Sequence, residues 1–367
     1  MKRFLQRILA KPVQWLVNRF SSEPNRERVH ASLSDLYKEI IDKKEKKGLV
    51  KLMNADDDRY IIFSDQHKGT KNGADDFRMA EKNYINALDY YYREKYHFIS
   101  LGDAEELWEN SIWSVPGKNK ENIEKEKNFL DAGRFYKVFG NHDLYWNNDP
   151  LASFQLKRMY GSPFWVYEGL VLRINFNGRA FDIFLTHGHQ GDGQSDGNKL
   201  SAWLVSSIWA PLQSLLEINP NTPATNDEMK TLHNRFMYEW SAAQKDIMLI
   251  TGHTHQPIFA SLTHLESLYK QLVAAQLKGD NTKQRELENE IIMRKKEYHH
   301  VSDEFLTMKP SYFNSGCCCF NDGDITGIEI ADGKICLIKW DYDQDGSSQR
   351  IVLEEAMLYD IITAIGS

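Results

Sequence analysis

Five short β-prone runs, each ending in a turn that carries aspartate, asparagine or histidine, constrain this chain more than any other feature. Tyr60–Ser64 leads to Asp65, and Phe98–Leu101 leads to Gly102-Asp103. Phe135–Phe139 leads to Gly140-Asn141, Phe181–Thr186 to His187, and Ile247–Thr251 to Gly252-His253. Each run has a strand's length and a strand's enrichment in β-branched and aromatic residues. Between the first two, Phe77, Ala80, Tyr84, Leu88 and Tyr91 recur every three or four residues, which predicts a helix over 75–95. Strand–helix–strand alternation makes an α/β protein. In such sheets ligands gather at the carboxyl ends of strands, and every polar cluster lies at that end of its run.

The rest of the 367 residues arranges itself around this core pattern. Residues 1–50 read as a helical extension that ends in the charged run Asp42-Lys43-Lys44-Glu45-Lys46-Lys47. Its first 20 residues carry Lys2, Arg3, Arg7, Lys11 and Arg19 and no acidic side chain, with Leu5, Ile8, Leu9, Val13, Leu16, Val17 and Phe20 on one helical face. A basic amphipathic helix of this kind can lie on an anionic membrane surface; packing on its own domain is the competing expectation. Lys11 and Pro12 break the apolar stretch, so a cleaved signal peptide is not expected. The catalytic-type pattern fills about 55–345. It is interrupted at about 190–245, where Leu200–Ile218 holds Trp203, Trp209 and several aliphatic residues, and at 262–300, which predicts a charged helical hairpin broken near Gly279-Asp280-Asn281. Strands are expected again at 311–319, 325–330 and 334–340, with a hairpin turn at Asp332-Gly333. Residues 346–367 are expected to be a helix or tail.

Composition narrows the function classes. Hydrophobic residues make up 41 % of the chain, enough for a sizeable core, and the formal net charge is −7, against nucleic acid as a partner. Of the four cysteines three are adjacent, Cys317–Cys319, which is poor geometry for a disulfide framework. A reducing, cytoplasmic compartment fits, at the inner face of the membrane if residues 1–20 bind lipid. No uninterrupted apolar run approaches the roughly 18 residues a spanning helix needs.

The strand-end residues are Asp65, His67, Asp103, Asn141, His142, His187, His253 and His255: two aspartates, one asparagine and five histidines. Carboxylate and imidazole together suit manganese, with iron or zinc next, better than magnesium or calcium, which prefer all-oxygen shells. Gly102 and Gly140 allow the tight backbone approach that a crowded metal centre demands. A single such histidine is more often structural than a ligand, but five clusters at successive strand ends point to one shared site.

Taken in order, Asp65-x-His67, Gly102-Asp103, Gly140-Asn141-His142-Asp143, His187-Gly188 and Gly252-His253-Thr254-His255 resemble the motifs of the calcineurin-like metallophosphoesterases, from about Tyr60 to His255. The resemblance implies a four-layer αββα sandwich with a dinuclear metal site at one rim. It implies one metal on Asp65, His67 and His255, a second on Asn141, His187 and His253, and Asp103 bridging them. It further implies that His142 touches substrate and protonates the leaving group, that Asp143 orients His142, and that Asn141 helps to hold the phosphoryl oxygens. Two cations about 3.5–4 Å apart can share a hydroxide and clamp a phosphoryl group. The expected activity is therefore metal-dependent hydrolysis of a phosphodiester, phosphomonoester or pyrophosphate.

The insertions bear on the substrate. The apolar stretch 200–218 can be an ordinary amphipathic helix packed on the core or a lid for an acyl chain. The layout, with Gly102-Asp103-Ala104-Glu105-Glu106-Leu107-Trp108 and a helical insertion before Gly252-His253-Thr254-His255, resembles the UDP-2,3-diacylglucosamine pyrophosphatases, which suggests a lipid-linked nucleotide. The chain departs from that group in having His142 where an arginine is expected, an added hairpin at 262–300 and a longer N-terminal extension. A soluble nucleotide or cyclic-nucleotide phosphodiesterase or phosphatase is the alternative, and a non-catalytic scaffold a minor one. The 262–300 hairpin can form a homo-oligomer contact or cover the site.

Overall fold

The computed structural model describes residues 25–44, 47–71, 75–108, 110–191, 227–294 and 306–366. In chain order its elements are α1 (Arg26–Ile41), β1 (Gly48–Leu52), β2 (Tyr60–Phe63), α2 (Phe77–Arg93), β3 (His97–Leu101), α3 (Val115–Lys118), α4 (Lys120–Asp131), β4 (Phe135–Val138), α5 (Tyr145–Asn148), α6 (Ala152–Tyr160), β5 (Val166–Tyr167), β6 (Gly169–Phe176) and β7 (Arg179–Thr186). They continue as α7 (Asp227–Ala243), β8 (Ile247–Thr251), α8 (His264–Lys278), α9 (Asn281–Arg294), β9 (Tyr312–Asn314), β10 (Ile325–Ala331), β11 (Lys334–Tyr342), β12 (Ser348–Met357) and α10 (Leu358–Gly366).

The strands form two sheets, one ordered β1-β6-β7-β8-β9 and the other β12-β11-β10-β2-β3-β4-β5. β2, β3, β4 and β5 pair in parallel, as do β7, β8 and β9. The two sheets face each other across one apolar layer. Ile62, Ile99, Leu101 and Val138 from one sheet meet Leu172, Ile183, Leu185, Ile250 and Phe313 from the other, and all are buried. Each such side chain contributes about 1.5–3 kcal/mol when fully buried. The outer faces are covered by helices. The stripe Phe77, Ala80, Tyr84, Leu88 and Tyr91 of α2, with Phe129 of α4 and Leu156 of α6, packs on the larger sheet. Val29, Leu33, Leu36 and Ile40 of α1, with Met237 and Trp240 of α7, pack on the smaller one. The result is the four-layer αββα sandwich expected from the sequence.

The five polar clusters leave the carboxyl ends of β2, β3, β4, β7 and β8. Three therefore come from one sheet and two from the other, and they converge on a common rim of the sandwich. The expected hairpin is present as α8 and α9, over 264–294: Thr263 and Glu266 form a capping box at the start of α8, and Gly279, at φ 70°, ends it. α8 and α9 share a small core of Leu265, Leu268, Ala275, Leu287 and Ile291, and the Ser267 hydroxyl ties the hairpin to Glu354 of β12 at 2.7 Å.

Three sequence expectations need correction. The segment after 346 is first a strand, β12, and only then a helix. A bulge opposite Leu337 and Ile338, where Leu353 is skipped in the pairing, breaks the alternation that would have marked it. The strand expected over 311–319 stops at Asn314, because the chain turns at Gly316, whose φ is 75°. The adjacent cysteines lie in that turn rather than on a strand, and all four cysteines are buried and free. Finally, the helical reading of residues 1–50 runs too far: α1 ends at Ile41, and Gly48–Leu52 is an edge strand. Residues 1–20 and 200–218 lie outside the described residues. Among the described residues no helix is long and apolar enough to cross a membrane.

Truncating the inter-sheet core should be far costlier than trimming the hairpin. Ile183→Ala, at a fully buried position, is expected to lose about 2–5 kcal/mol in denaturant unfolding. Leu277→Ala, at a position 86 % exposed, should stay within about 0.5 kcal/mol.

Candidate metal centre

The backbone at the rim is held in an unusual conformation. Asp65, His67, Asp103, His253 and His255 all have positive φ, at 53°, 49°, 50°, 69° and 57°. Such left-handed geometry costs of order 1–3 kcal/mol per residue and persists only where the surroundings impose it. The surroundings here are ladder-like bonds between loops that run past the strand ends. The Asp65 N–H donates to Gly102 O at 3.0 Å, His67 N–H to Asp103 O at 2.9 Å and Lys68 N–H to Ala104 O at 3.0 Å. Gly252 N–H donates to His187 O at 2.9 Å, and the Asn314 amide to Gly252 O at 2.7 Å.

The two aspartates divide their oxygens between loop and site. Asp65 Oδ2 accepts the His253 N–H at 3.0 Å and the Ser64 hydroxyl, leaving Oδ1 toward the cluster. Asp103 Oδ1 accepts the His142 N–H at 2.7 Å, leaving Oδ2 3.1 Å from His187 Nε2. Close approach explains the glycines. A Cβ on Gly140 would overlap Asp103, one on Gly102 the His187 ring, and one on Gly252 both Ser64 and Asp65.

The ligand-type atoms lie at characteristic spacings. Atoms bound to one ion at about 2.1 Å each stand about 3.0–3.4 Å apart in octahedral or tetrahedral arrangement. His67 Nε2 and His255 Nε2 are 3.2 Å apart, and His255 Nε2 is 3.2 Å from Asp65 Oδ1. His187 Nε2 is 3.1 Å from Asp103 Oδ2 and 3.2 Å from Asn141 Oδ1. His253 joins Asp103 and His187, with ligand atoms within 4.8 Å of one another. The ring tautomers reinforce this. His187 Nδ1–H donates to Leu101 O at 2.9 Å and His67 Nδ1–H to Glu106 Oε2 at 2.9 Å. With Nδ1 held in this way, each ring turns Nε2 toward the other ligand-type atoms, a place that takes either a ring proton or a metal ion. His253 Nε2 and Asp65 Oδ1 are buried without a hydrogen-bond partner of good geometry among the described residues. The donor set thus fits metal ions in two groups, His67, His255 and Asp65 on one side and His187, His253 and Asn141 on the other, with Asp103 between.

Protonation reports the same field. Burial would lower the His67 ring, but the Glu106 hydrogen bond and the charges of Asp103, Glu106 and Asp65 raise it to about 10. Burial likewise opposes, and Asp103 and Asp65 outweigh it, at His187, which rises to about 9. His253 goes the other way, held well below the ordinary value by burial and by the neighbouring His233 and His187. Asp103 stays well below the usual carboxylate range against its burial because His187, His142 and His67 face it.

Eight of the nine residues nominated from the sequence, Asp65, His67, Asp103, Asn141, His142, His187, His253 and His255, line this rim. Asp143 is placed differently from the expectation. Its oxygens accept the Gly140 N–H at 2.6 Å and the Ala104 N–H at 3.0 Å, so it shapes the loop. The carboxylate that holds the His142 ring is that of Glu106, whose Oε2 accepts the His142 Nδ1–H at 2.7 Å as well as that of His67. Trp108 stacks on His142 with ring centroids 3.9 Å apart and planes at 16°, and its indole N–H donates to Asn141 O at 2.7 Å. The sequence carries Glu106 three residues after Asp103, inside the run Gly102–Trp108 already singled out. No comparable signal marks His233 of α7, which reaches Gly188 O at 2.7 Å and packs edge-on against His253.

No protein-family model and no curated protein matches the sequence. Among solved structures the chain is similar to vacuolar protein sorting 29 from Cryptosporidium parvum, at 14 % identity and TM-score 0.31 over 82 % of this chain and 98 % of that one. It is also similar to a dimetal phosphatase from Danio rerio, at 9 % identity and TM-score 0.36 over 81 % of this chain and 99 % of that one. Likeness at this level carries no functional weight, and the chemistry rests on the side chains themselves.

The raised rings give a signed pH dependence. Because His67 and His187 stand above their ordinary value of 6.5, their contribution to the metal-free fold is fully present below that pH and is lost as pH rises through about 9 and 10. Melts in EDTA should show this loss. Adding Mn²⁺ at neutral pH should release protons as the rings exchange them for metal, measurable by calorimetry in two buffers of different protonation enthalpy. Absence of proton release would mean that the rings are neutral without metal.

Proposed function

We propose that this chain is a two-metal phosphoesterase, a hydrolase of phosphate esters or anhydrides. The observation that carries the reading is the spacing of the ligand atoms: four contacts of 3.1–3.2 Å link Asp65, His67 and His255 on one side, and Asp103, Asn141 and His187 on the other. Asp65, His67 and His255 would hold one divalent ion, Asn141, His187 and His253 the other, and Asp103 both. Imidazole and carboxylate together favour manganese, then iron or zinc. Bound there, the ions would polarise phosphoryl oxygens and bring the pKa of a bound water toward neutrality.

The chain's own groups supply the rest. His142 and His255 keep 21 % of their side-chain surface exposed and form the mouth of the site, where substrate enters. With Nδ1–H committed to Glu106, Nε2 is the His142 nitrogen that would give a proton to the departing oxygen. The Trp108 face fixes the plane of that ring. The buried side chains of Asp65, Asp103 and His187 keep bulk water from the inner side of the reacting phosphorus.

The finer reading, a lipid-linked nucleotide such as UDP-2,3-diacylglucosamine hydrolysed at the inner face of a membrane, draws on the basic amphipathic residues 1–20 and the apolar segment 200–218. A soluble nucleotide or cyclic-nucleotide diester is the alternative.

Turnover of bis-p-nitrophenyl phosphate, p-nitrophenyl phosphate and UDP-2,3-diacylglucosamine by the Mn-loaded protein tests these readings. Asp103→Asn should abolish activity, EDTA should remove it and Mn²⁺ restore it, and His142→Ala should lower kcat by about 10²–10⁴-fold. Turnover of the lipid nucleotide far above the small diester supports the finer reading, and the reverse supports a soluble substrate. A protein that holds two metals yet turns over none of the three would be a scaffold.

A further inference from the structure

Directly behind the rim four charged side chains are buried together: Lys68, Glu105, Glu126 and Lys137, each no more than 1 % exposed. Lys68 Nζ lies 2.5 Å from Glu126 Oε1 and 3.6 Å from Glu105 Oε1, and Lys137 Nζ lies 2.9 Å from both oxygens of Glu105. Neutral donors add to these contacts. Tyr84 and Tyr160 hydroxyls donate to Glu126 at 2.9 and 2.5 Å, and the Trp146 indole donates to Glu105 at 2.8 Å. The group is neutral as a whole and touches no solvent.

Stability does not account for it. Desolvating ions is so costly that apolar side chains of similar volume usually hold a core as well or better. What the network has is position. Lys68 follows His67, Glu105 stands between Asp103 and Glu106, Lys137 lies on β4 four residues before Asn141, and Glu126 lies on α4. Lys68 and Glu105 also pair as an isolated parallel bridge, which extends the β2–β3 register into the site loops. Those loops carry Asp65, His67 and Asp103 in left-handed conformations that relax unless something behind them is rigid.

We propose that Lys68, Glu105, Glu126 and Lys137 are positioning residues for the metal centre: a buried, charge-balanced staple that fixes the loop after β2 against the loop after β3 and against β4, and so sets the distance between the two groups of ligands. Hydrogen-bonded charges suit this task because their geometry is directional, whereas apolar packing tolerates sliding. The proposal rests on the metal-centre reading above.

The test replaces each pair by neutral side chains of similar volume, Glu105→Gln with Lys137→Met, and Lys68→Met with Glu126→Gln. Both double variants should melt cooperatively, bind Mn²⁺ roughly 10–100-fold more weakly, and show an altered visible spectrum when loaded with Co²⁺. At saturating metal kcat should fall while KM holds. Folded variants with wild-type metal affinity and wild-type Co²⁺ spectrum would overturn the proposal. Should neither pair fold, Glu126→Asp decides, since it keeps the charge and withdraws it by one methylene. At least a tenfold loss of Mn²⁺ affinity is expected, and wild-type affinity would refute the staple. A wild-type protein that fails to bind two ions would instead overturn the metal-centre reading itself.

Discussion

Two buried carboxylates organise the rim of this molecule. Asp65 and Asp103 each give one oxygen to a backbone N–H of another loop, His253 and His142 respectively, and turn the other toward imidazole. A carboxylate that is fully desolvated needs such donors to remain ionised. The loops are thereby stitched to one another through the groups that would bind metal, and neither sheet can shift without disturbing them. Five left-handed residues record the cost of that arrangement.

The fold explains why the site can be assembled at all. Parallel strands release their loops at one edge, and stacking two sheets brings loops from both edges into a single row. β2, β3 and β4 supply Asp65, His67, Asp103, Asn141 and His142, while β7 and β8 supply His187, His253 and His255. The inter-sheet layer of Ile, Leu, Val and Phe holds the two halves in register. Glycines at 102, 140 and 252 let them come close enough for their ligand atoms to share a centre.

Much of this was legible in the sequence because the signals are local. A short β-prone run followed by Gly-Asp or Gly-His needs no knowledge of distant partners, and the α2 stripe and the α8–α9 hairpin declare themselves by period. What escaped depends on partners far along the chain. β12 is hidden by a bulge that only its pairing with β11 reveals. The cysteines at 317–319 look like strand residues until the turn at Gly316 is seen. Asp143 is adjacent to His142 in sequence, yet the ring's partner is Glu106, 36 residues earlier. Lys68, Glu105, Glu126 and Lys137 read as ordinary charged residues, since nothing in one sequence says that four such side chains from four elements are buried against one another.

The central claim is that these ligand atoms surround two ions. The most direct measurement is anomalous diffraction from crystals of the full chain grown with Mn²⁺. Two manganese peaks are expected about 3.5–4 Å apart, with Asp103 between them, one near Asp65, His67 and His255 and the other near Asn141, His187 and His253. A single peak, or none, with the imidazoles hydrogen-bonded to the carboxylates instead, would contradict the account.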